Sequence, residues 1–194
     1  MAEKGGFWGG TANALVDPKR SFRWIIRFGD NTKTGIQEWF AKSASKPAFE
    51  VGETEHAFLN HQFYYPGKVK WQEMEVTLVD PSYPNDASQS LMKMLNQAGY
   101  YAPTDINSAS HTITKKAAVA AIGSTVFLKQ IGTDQNDVLE TWSLVNPWLK
   151  NVNFGALSYE NEDMVEITLT IRFDYAKLQV KKQKNAVPGP VPQS

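Results

Sequence analysis

The feature that most constrains the fold of this chain is a strict alternation of side-chain types between residues 164 and 175. Successive side chains of a β-strand point to opposite faces of the sheet, so this stretch predicts a strand with one apolar and one polar face. We predict one long strand whose apolar face enters the core and whose polar face meets neighbours or solvent. The core-facing side chains are Val165, Ile167, Leu169, Ile171, Phe173 and Tyr175.

Further segments of the chain also predict β structure. "FRWIIRF" (22–28) and "WQEMEVTLV" (71–79) alternate, and "IQEWFAKS" (36–43) is expected to return beside the first of them. Two more strands are expected in "AAVAAIGSTVFLKQ" (117–130) and "DVLETWSLVN" (137–146), joined as a hairpin. Turn signals such as Pro66-Gly67 and Asp80-Pro81 separate the segments. This pattern favours a mainly β fold, an antiparallel sandwich or barrel.

One segment has helical periodicity instead. Apolar residues recur at positions 87, 91, 94, 95 and 98, and Asn85 or Asp86 can cap the start. Gly99 stands where a left-handed C-terminal cap belongs. We predict one amphipathic helix of about three turns, inserted between two sets of strands.

The two ends of the chain differ in composition from the middle. Residues 1–20 form an N-terminal arm, rich in Gly and Ala, that carries Phe7 and Trp8. This N-terminal segment either becomes ordered when the two aromatic rings bind in a pocket, or is a frayed terminus. Residues 21–178 are expected to be one β domain, and residues 179–194 a flexible Lys- and Pro-rich tail.

Charge is distributed unevenly along the second half of the chain. Glu160, Glu162 and Asp163 form an acidic cluster, whereas Lys181 and Lys182 lie in a basic end. A molecule that is acidic at one place and basic at another can bind copies of itself head to tail. The alternative is a solvated loop and a solvated tail.

The composition limits the class of protein. The chain has 194 residues with 20 basic and 20 acidic side chains, so its formal net charge is zero. This balance argues against a dedicated nucleic-acid binder and fits self-association. There is no cysteine, no apolar run of the roughly 20 residues needed to span a bilayer, and no apolar core of a secretion signal. A soluble protein without membrane insertion is expected.

The search for catalytic or metal-binding residues predicts neither an enzyme nor a cofactor. His56 and His61 lie five residues apart without an obvious third ligand, while catalytic zinc needs three protein ligands. No phosphate-binding loop, nucleophile elbow or zinc-protease motif is present. Six tryptophans leave open a second class, a monomeric β-sandwich module that binds glycans.

The order of these segments resembles the tail tube proteins of contractile-tailed bacteriophages of the T-even type. The resemblance covers about residues 20–178. It is carried by "FRWIIRF", by "SKPAFEVGETEHAFLNHQFYYPGKVKWQEMEVTLVDP" (45–81), by the helix, by a hairpin beginning near "TKKAAV", and by "LVNPWLKNVNFGALSYENEDMVEITLTIRFDYAKL" (144–178).

The resemblance implies a structural virion protein of the phage tail, made in the host cytoplasm. Hexameric rings would stack into a tube that conducts DNA into the host when the sheath contracts. Each subunit would lend two hairpins, residues 48–65 and 117–145, to an inner β-barrel. The lining of a channel for DNA should be neutral or acidic, because each DNA phosphate that a basic side chain neutralises adds affinity and slows the passage of the DNA.

The resemblance also implies partners. These are further copies of the chain, the sheath protein, the baseplate or tube initiator, the tail terminator, and genomic DNA in transient non-specific contact. A baseplate-proximal tube initiator of the same fold is the alternative identity. The candidate residues facing the channel are Glu53, Glu55, Asn60 and Gln62. Those for contacts between subunits or rings are Phe7, Trp8, Glu160, Glu162, Asp163, Lys181 and Lys182, and those facing the sheath are Ser88, Lys93 and Gln97.

Overall fold

The computed structural model describes residues 18–29, 34–104, 111–134, 136–160 and 162–181. In these ranges the strands are β1 (Trp24–Phe28), β2 (Ala41–Ala44), β3 (Phe49–Phe58), β4 (His61–Trp71), β5 (Met74–Val79), β6 (Thr125–Ile131), β7 (Val138–Val145), β8 (Trp148–Asn153), β9 (Glu166–Arg172) and β10 (Tyr175–Val180). Two α-helices, α1 (Ala87–Gln97) and α2 (Lys115–Ala121), lie between β5 and β6.

Eight of these strands form two four-stranded sheets, and all their pairings are antiparallel. The first sheet has the order β1-β6-β7-β10, and the second has the order β2-β5-β9-β8. One hydrophobic cluster contains buried side chains from both sheets, so the two sheets form a sandwich. The mainly β antiparallel fold predicted from the alternation is confirmed.

The second sheet is centred on the pairing of β5 with β9. Met74, Val76 and Leu78 of β5 are fully buried, as are the alternating isoleucines and leucine of β9. Each such side chain stabilises the fold by about 1.5 to 3 kcal/mol before the entropy cost is subtracted. The alternation in the sequence therefore correctly predicts which face of β5 and β9 is buried.

The long alternating stretch is shorter as a strand than the sequence predicts. β9 ends at Arg172, and the chain then bends at Asp174 and continues as β10 in the other sheet. Asp174 accepts hydrogen bonds from Lys115 Nζ (2.7 Å) and from Asn146 Nδ2 (2.8 Å), which anchor the bend. Tyr175 is consequently 41% exposed, and the prediction that it enters the core is wrong. Val165, just before the strand, is only partly buried.

Helix α1 is confirmed, and the prediction of a single helix is wrong. The Asp86 side chain accepts a hydrogen bond from Gln89 N (2.7 Å) at its start, and Gly99 follows its end with φ +110°. Residues 115–121 form α2, which is capped by the Thr114 side chain, although residues 117–121 are predicted as the start of a strand. Alanine has the highest helix propensity, and contacts with α1 and β8 support the short helix.

Two local predictions are corrected. Residues 38–40 form a 3₁₀ helix, and β2 pairs with β5 instead of returning beside β1. Because α2 occupies residues 115–121, the second hairpin begins at Thr125 and joins β6 to β7. Strand β10 reaches Val180, two residues into the predicted tail.

Candidate assembly surfaces

Strands β3 and β4 form a hairpin, here called the arm, that pairs with neither sheet. The strands have 10 and 11 residues, and every residue from Phe49 to Lys70 is exposed. The turn consists of Leu59, with φ +53°, and Asn60. The predicted hairpin of residues 48–65 is present but extends to Trp71. An isolated two-stranded hairpin is marginally stable in water, so we expect this arm to pack against another protein surface.

One face of the arm is polar. Glu53, Glu55 and Ala57 pair with Pro66, Tyr64 and Gln62, and paired residues of an antiparallel ladder share a face. Glu53, Glu55 and Gln62 therefore point to the same side, and the Tyr64 hydroxyl donates a hydrogen bond to Gln62 Oε1 (3.0 Å). Asn60, the fourth residue predicted to face the channel, lies in the turn at the tip.

The opposite face of the arm is aromatic. It carries Phe58, Phe63 and Tyr65, with exposed fractions of 62%, 44% and 56%. His56 and His61 share this face, and the His61 ring stacks edge-on to Phe63 with centroids 4.7 Å apart. Contiguous exposed apolar surface of this kind is typical of protein interaction sites.

The root of the arm is anchored to the sandwich by aromatic contacts. Phe49 meets Trp71 with ring centroids 5.4 Å apart, and Trp71 meets the buried Phe173 at 6.0 Å. The ladder shifts register just beyond, where Gly52 and Gly67 approach each other. A Cβ on Gly67 would lie 3.0 Å from the carbonyl oxygen of Gly52, so a side chain at position 67 would crowd β3 at this point.

A buried carboxylate, Glu140 of β7, fastens two segments next to the arm. It is 5% exposed and forms ion pairs with Lys19, in the N-terminal segment, and with Lys46, in the linker that enters β3. Burial disfavours the charged form, but the hydrogen bonds from the two lysines outweigh it and lower the pKa of Glu140. Sequence reasoning missed this site, whose signal was an acidic residue on the core-facing side of β7.

The N-terminal segment is held at a second point. Gln130 Nε2 donates hydrogen bonds to the carbonyl oxygens of Arg20 (2.5 Å) and Arg23 (3.2 Å). With the Glu140 ion pairs, these bonds fix where the chain enters the sandwich. Phe7 and Trp8 lie outside the described residues.

The outer face of the first sheet, here called the basic face, follows from the strand register. One row contains Ile25, Lys129, Thr141 and Gln179, the next contains Arg27, Phe127, Ser143 and Lys177, and a third contains Thr125, Val145 and Tyr175. These rows hold three cations and no acidic residue among the described positions. Arg27 forms an ion pair with Glu38 of the 3₁₀ helix (2.6 Å), and Lys177 lies over the Tyr175 ring.

The first sheet also has two open edges. Among the described strands, β1 pairs only with β6, and β10 pairs only with β7. Each edge therefore presents unpaired backbone donors and acceptors, which natural proteins cover, shorten or pair with another chain.

The acidic cluster lies in a loop between β8 and β9. Glu160, Glu162 and Asp163 are exposed, beside the largely exposed side chains of Leu157 and Met164. The predicted basic counterpart is partly engaged within the same molecule, because Lys181 forms an ion pair with Asp137. Lys182 lies outside the described residues. The structure thus keeps the acidic loop available and does not join it to Lys181.

The three predicted sheath-facing residues of α1 have different environments. Lys93 and Gln97 are exposed, whereas Ser88 is half-buried and its hydroxyl donates a hydrogen bond to Asp80 Oδ2 (2.6 Å). Met92, which is also exposed, was not predicted. The outward surface of the helix is therefore better described by positions 89, 92, 93, 96 and 97.

Neither a metal site nor a membrane helix is found in the part of the chain that the structure describes. His56 and His61 share a face of the arm, but no group of three potential ligands occurs among the described residues. None of the described helices has the length and apolar character needed to cross a bilayer.

Comparison with known proteins identifies the fold. The tube-terminating cap of the anti-feeding prophage has a TM-score of 0.63 at 13% identity, covering 88% of this chain and 97% of its own. The sheath/tube terminator of PVC, an extracellular contractile injection system, gives 0.62 at 15% identity, covering 86% and 100%. A chain of the PVC sheath–tube complex gives 0.57 at 14%, covering 84% and 93%. No protein-family model and no curated protein sequence matches the chain.

Proposed function

We propose, from the fold that this chain shares with tube and tube-terminator structures of contractile injection systems, that it is a structural subunit of a tail tube. Copies join side by side into hexameric rings, and the rings stack around a channel. The protein has no catalytic role in this proposal.

The observation that carries the proposal is the exposed arm. A hairpin of this length, with Phe58 and Phe63 open to solvent and no pairing to either sheet, is costly in an isolated molecule. Covering its aromatic face with another copy removes that surface from water. At about 25 cal/mol per Å² of apolar surface, several such contacts per ring favour stacking.

The strand directions of the first sheet support closure into a ring. Its pairings are all antiparallel, so β1 and β10, at opposite ends of four strands, run in opposite directions. When β10 of one copy lies beside β1 of the next, the two edges meet as an antiparallel pair. Repeating this head-to-tail contact around an axis closes a barrel with no free edge.

In this arrangement the basic face lines the channel, and the arm reaches the adjacent ring. The polar side of the arm faces the channel and carries Glu53, Glu55 and Gln62, with Asn60 at the tip. The aromatic side contacts a copy in the adjacent ring. The contacts between subunits include the acidic loop, Phe7, Trp8 and Lys182. Lys181 joins them once it leaves its ion pair with Asp137 of the same molecule.

The remaining partners follow from the same proposal. The exposed residues of α1, Lys93 and Gln97, lie outside the channel and face the sheath, with Ser88 supporting the helix start. The tube begins on a baseplate initiator, ends at a tail terminator, and conducts genomic DNA in a virion tail assembled in the host cytoplasm.

Electron microscopy and sedimentation across a concentration series test the proposal. Wild-type protein is expected to form rings or tubes, and the Phe58→Ser/Phe63→Ser variant is expected to lose stacking without losing its folded structure. Phe22→Ser, which removes an exposed ring outside the arm, serves as the matched control. Wild-type protein that stays monomeric at every concentration would contradict the tube assignment. Rings that never extend would favour an initiator or a terminator.

A second candidate function, glycan binding, rests on one observation. Trp39 is 62% exposed, and its indole N–H donates a hydrogen bond to Gln37 Oε1 (2.9 Å), so its ring is held at the surface. Quenching of tryptophan fluorescence by cell-wall glycans, lost in Trp39→Ala, would support a binding module. The absence of any response would remove it.

A further inference from the structure

We infer that the basic face is a binding site for the phosphate backbone of nucleic acid, so that the channel holds DNA instead of only letting it pass. This inference rests on the proposed function, in which the basic face lines the channel. It departs from the expectation, drawn from the sequence, of a neutral or acidic channel.

The charge on the face is the first argument. Lys129 and Lys177 take part in no ion pair among the described residues, whereas Arg27 is compensated by Glu38. With zero net charge over the whole chain, two cations without an ion-pair partner, in three ladder rows that hold no acidic residue, are a local concentration of positive charge. In a closed ring they repeat in every subunit and form two bands of positive charge.

The residue types on the face are the second argument. Arg, Lys, Ser, Thr, Gln and Tyr side chains supply most protein contacts to phosphate oxygens, and every polar residue of the three rows is one of these. Thr141 and Ser143 stand directly beside the two lysines in the ladder, where their hydroxyls can donate to the same phosphates. Contacts of this kind carry no sequence information, as a conduit for any genome requires.

The arm limits the strength of this hold. Its polar face carries Glu53 and Glu55 with no cation paired opposite them, so in the stacked tube an acidic region lies beside the two basic bands of each ring. Repulsion between these carboxylates and phosphate opposes binding. The expected outcome is weak attachment that falls steeply with salt, sufficient to retain DNA and reversible on ejection.

Co-sedimentation of a fluorescent 30-bp DNA duplex with preassembled tubes tests the inference, with tubes confirmed first by microscopy. We expect binding at 50 mM salt that drops at least tenfold by 200 mM. Lys129→Gln/Lys177→Gln tubes are expected to lose at least tenfold in affinity and to show a salt slope smaller by at least about 1. Glu53→Gln/Glu55→Gln tubes, the control of opposite sign, are expected to bind more tightly.

The alternatives give different results. Tubes that form but bind DNA equally with and without the two lysines would overturn the inference and leave the proposed function intact. Preference for poly-glutamate over the duplex would overturn it in favour of an acidic protein cargo. A wild-type chain that forms no rings or tubes would overturn both. If the double variant does not assemble, Lys177→Gln alone, at an exposed position, takes its place.

Discussion

The arm and the β5–β9 pair are both antiparallel ladders, but their environments are opposite. Polar and apolar side chains alternate in β5 and around Val69 in the arm (residues 67–71), yet Val76 of β5 is fully buried and Val69 is 58% exposed. The pair belongs to the second sheet and contributes to the core shared with the first sheet, whereas the arm beyond its root pairs with neither sheet. Alternation therefore shows which side chains share a face but not whether another part of the molecule covers it.

The largest difference between the two regions is expected in stability. Val76→Ala removes two methyl groups from the core and leaves a cavity, so the free energy of unfolding should fall by about 2 kcal/mol or more. Val69→Ala removes the same atoms from the exposed arm and should change it by less than about 0.5 kcal/mol. Urea unfolding of the unassembled subunit measures both. Equal losses would mean that the arm packs against the sandwich in solution.

A smaller effect is expected next to the arm, where Glu140 of the first sheet forms an ion pair with Lys46 in the linker that enters β3. The lowered pKa of Glu140 means that its contribution to stability is present above the unfolded-state value and is lost as pH falls through the folded-state value. The same sign holds for Asp174, whose pKa is lowered by hydrogen bonds from Lys115 and Asn146.

The midpoint of unfolding, measured as a function of pH, tests the contribution of the Glu140 ion pairs. Wild-type protein should lose stability as pH falls below about 4.3, and Glu140→Gln should lose less over that interval because it has no charge to neutralise there. At pH 7 the variant should be the less stable of the two. Parallel curves for the two proteins would show that the ion pairs contribute nothing measurable.

The smallest effect is expected at the N-terminal cap of α1, which lies outside the arm. Asp86→Ala removes the acceptor for Gln89 N and should cost about 1 kcal/mol, while Asp86→Asn, which keeps an oxygen acceptor, should cost only a few tenths. Thermal unfolding compares the two variants, and microscopy should show unchanged assembly in both. Loss of assembly with Asp86→Asn would place the start of this helix in an interface.

Local sequence signals were sufficient for features that depend on residues close in the chain. The cap at Asp86, the left-handed Gly99 and the buried face of β5 each follow from a short pattern, and the structure agrees with them. The sequence also predicts that Glu53, Glu55 and Gln62 lie on one side of the arm, because the turn at Leu59–Asn60 sets their register. Their place in a channel stays a prediction.

The errors concern segments whose conformation depends on distant residues. The pattern of residues 117–121 predicts a strand because small apolar side chains fit either structure, and packing against α1 and β8 favours the helix instead. Strand β9 ends at Arg172 because Lys115 and Asn146, far away in the chain, bind the carboxylate of Asp174. No pattern within residues 164–175 contains that information.

By itself, the sequence determined that this chain is a mainly antiparallel β protein with a capped helix, because side-chain periodicity and end caps act over a few residues. Only the tertiary structure decided that one hairpin stays outside the sandwich, that Glu140 is buried between two lysines, and that three cations share a sheet face. Those features arise when strands from distant parts of the chain meet in one register, which periodicity within a strand does not specify.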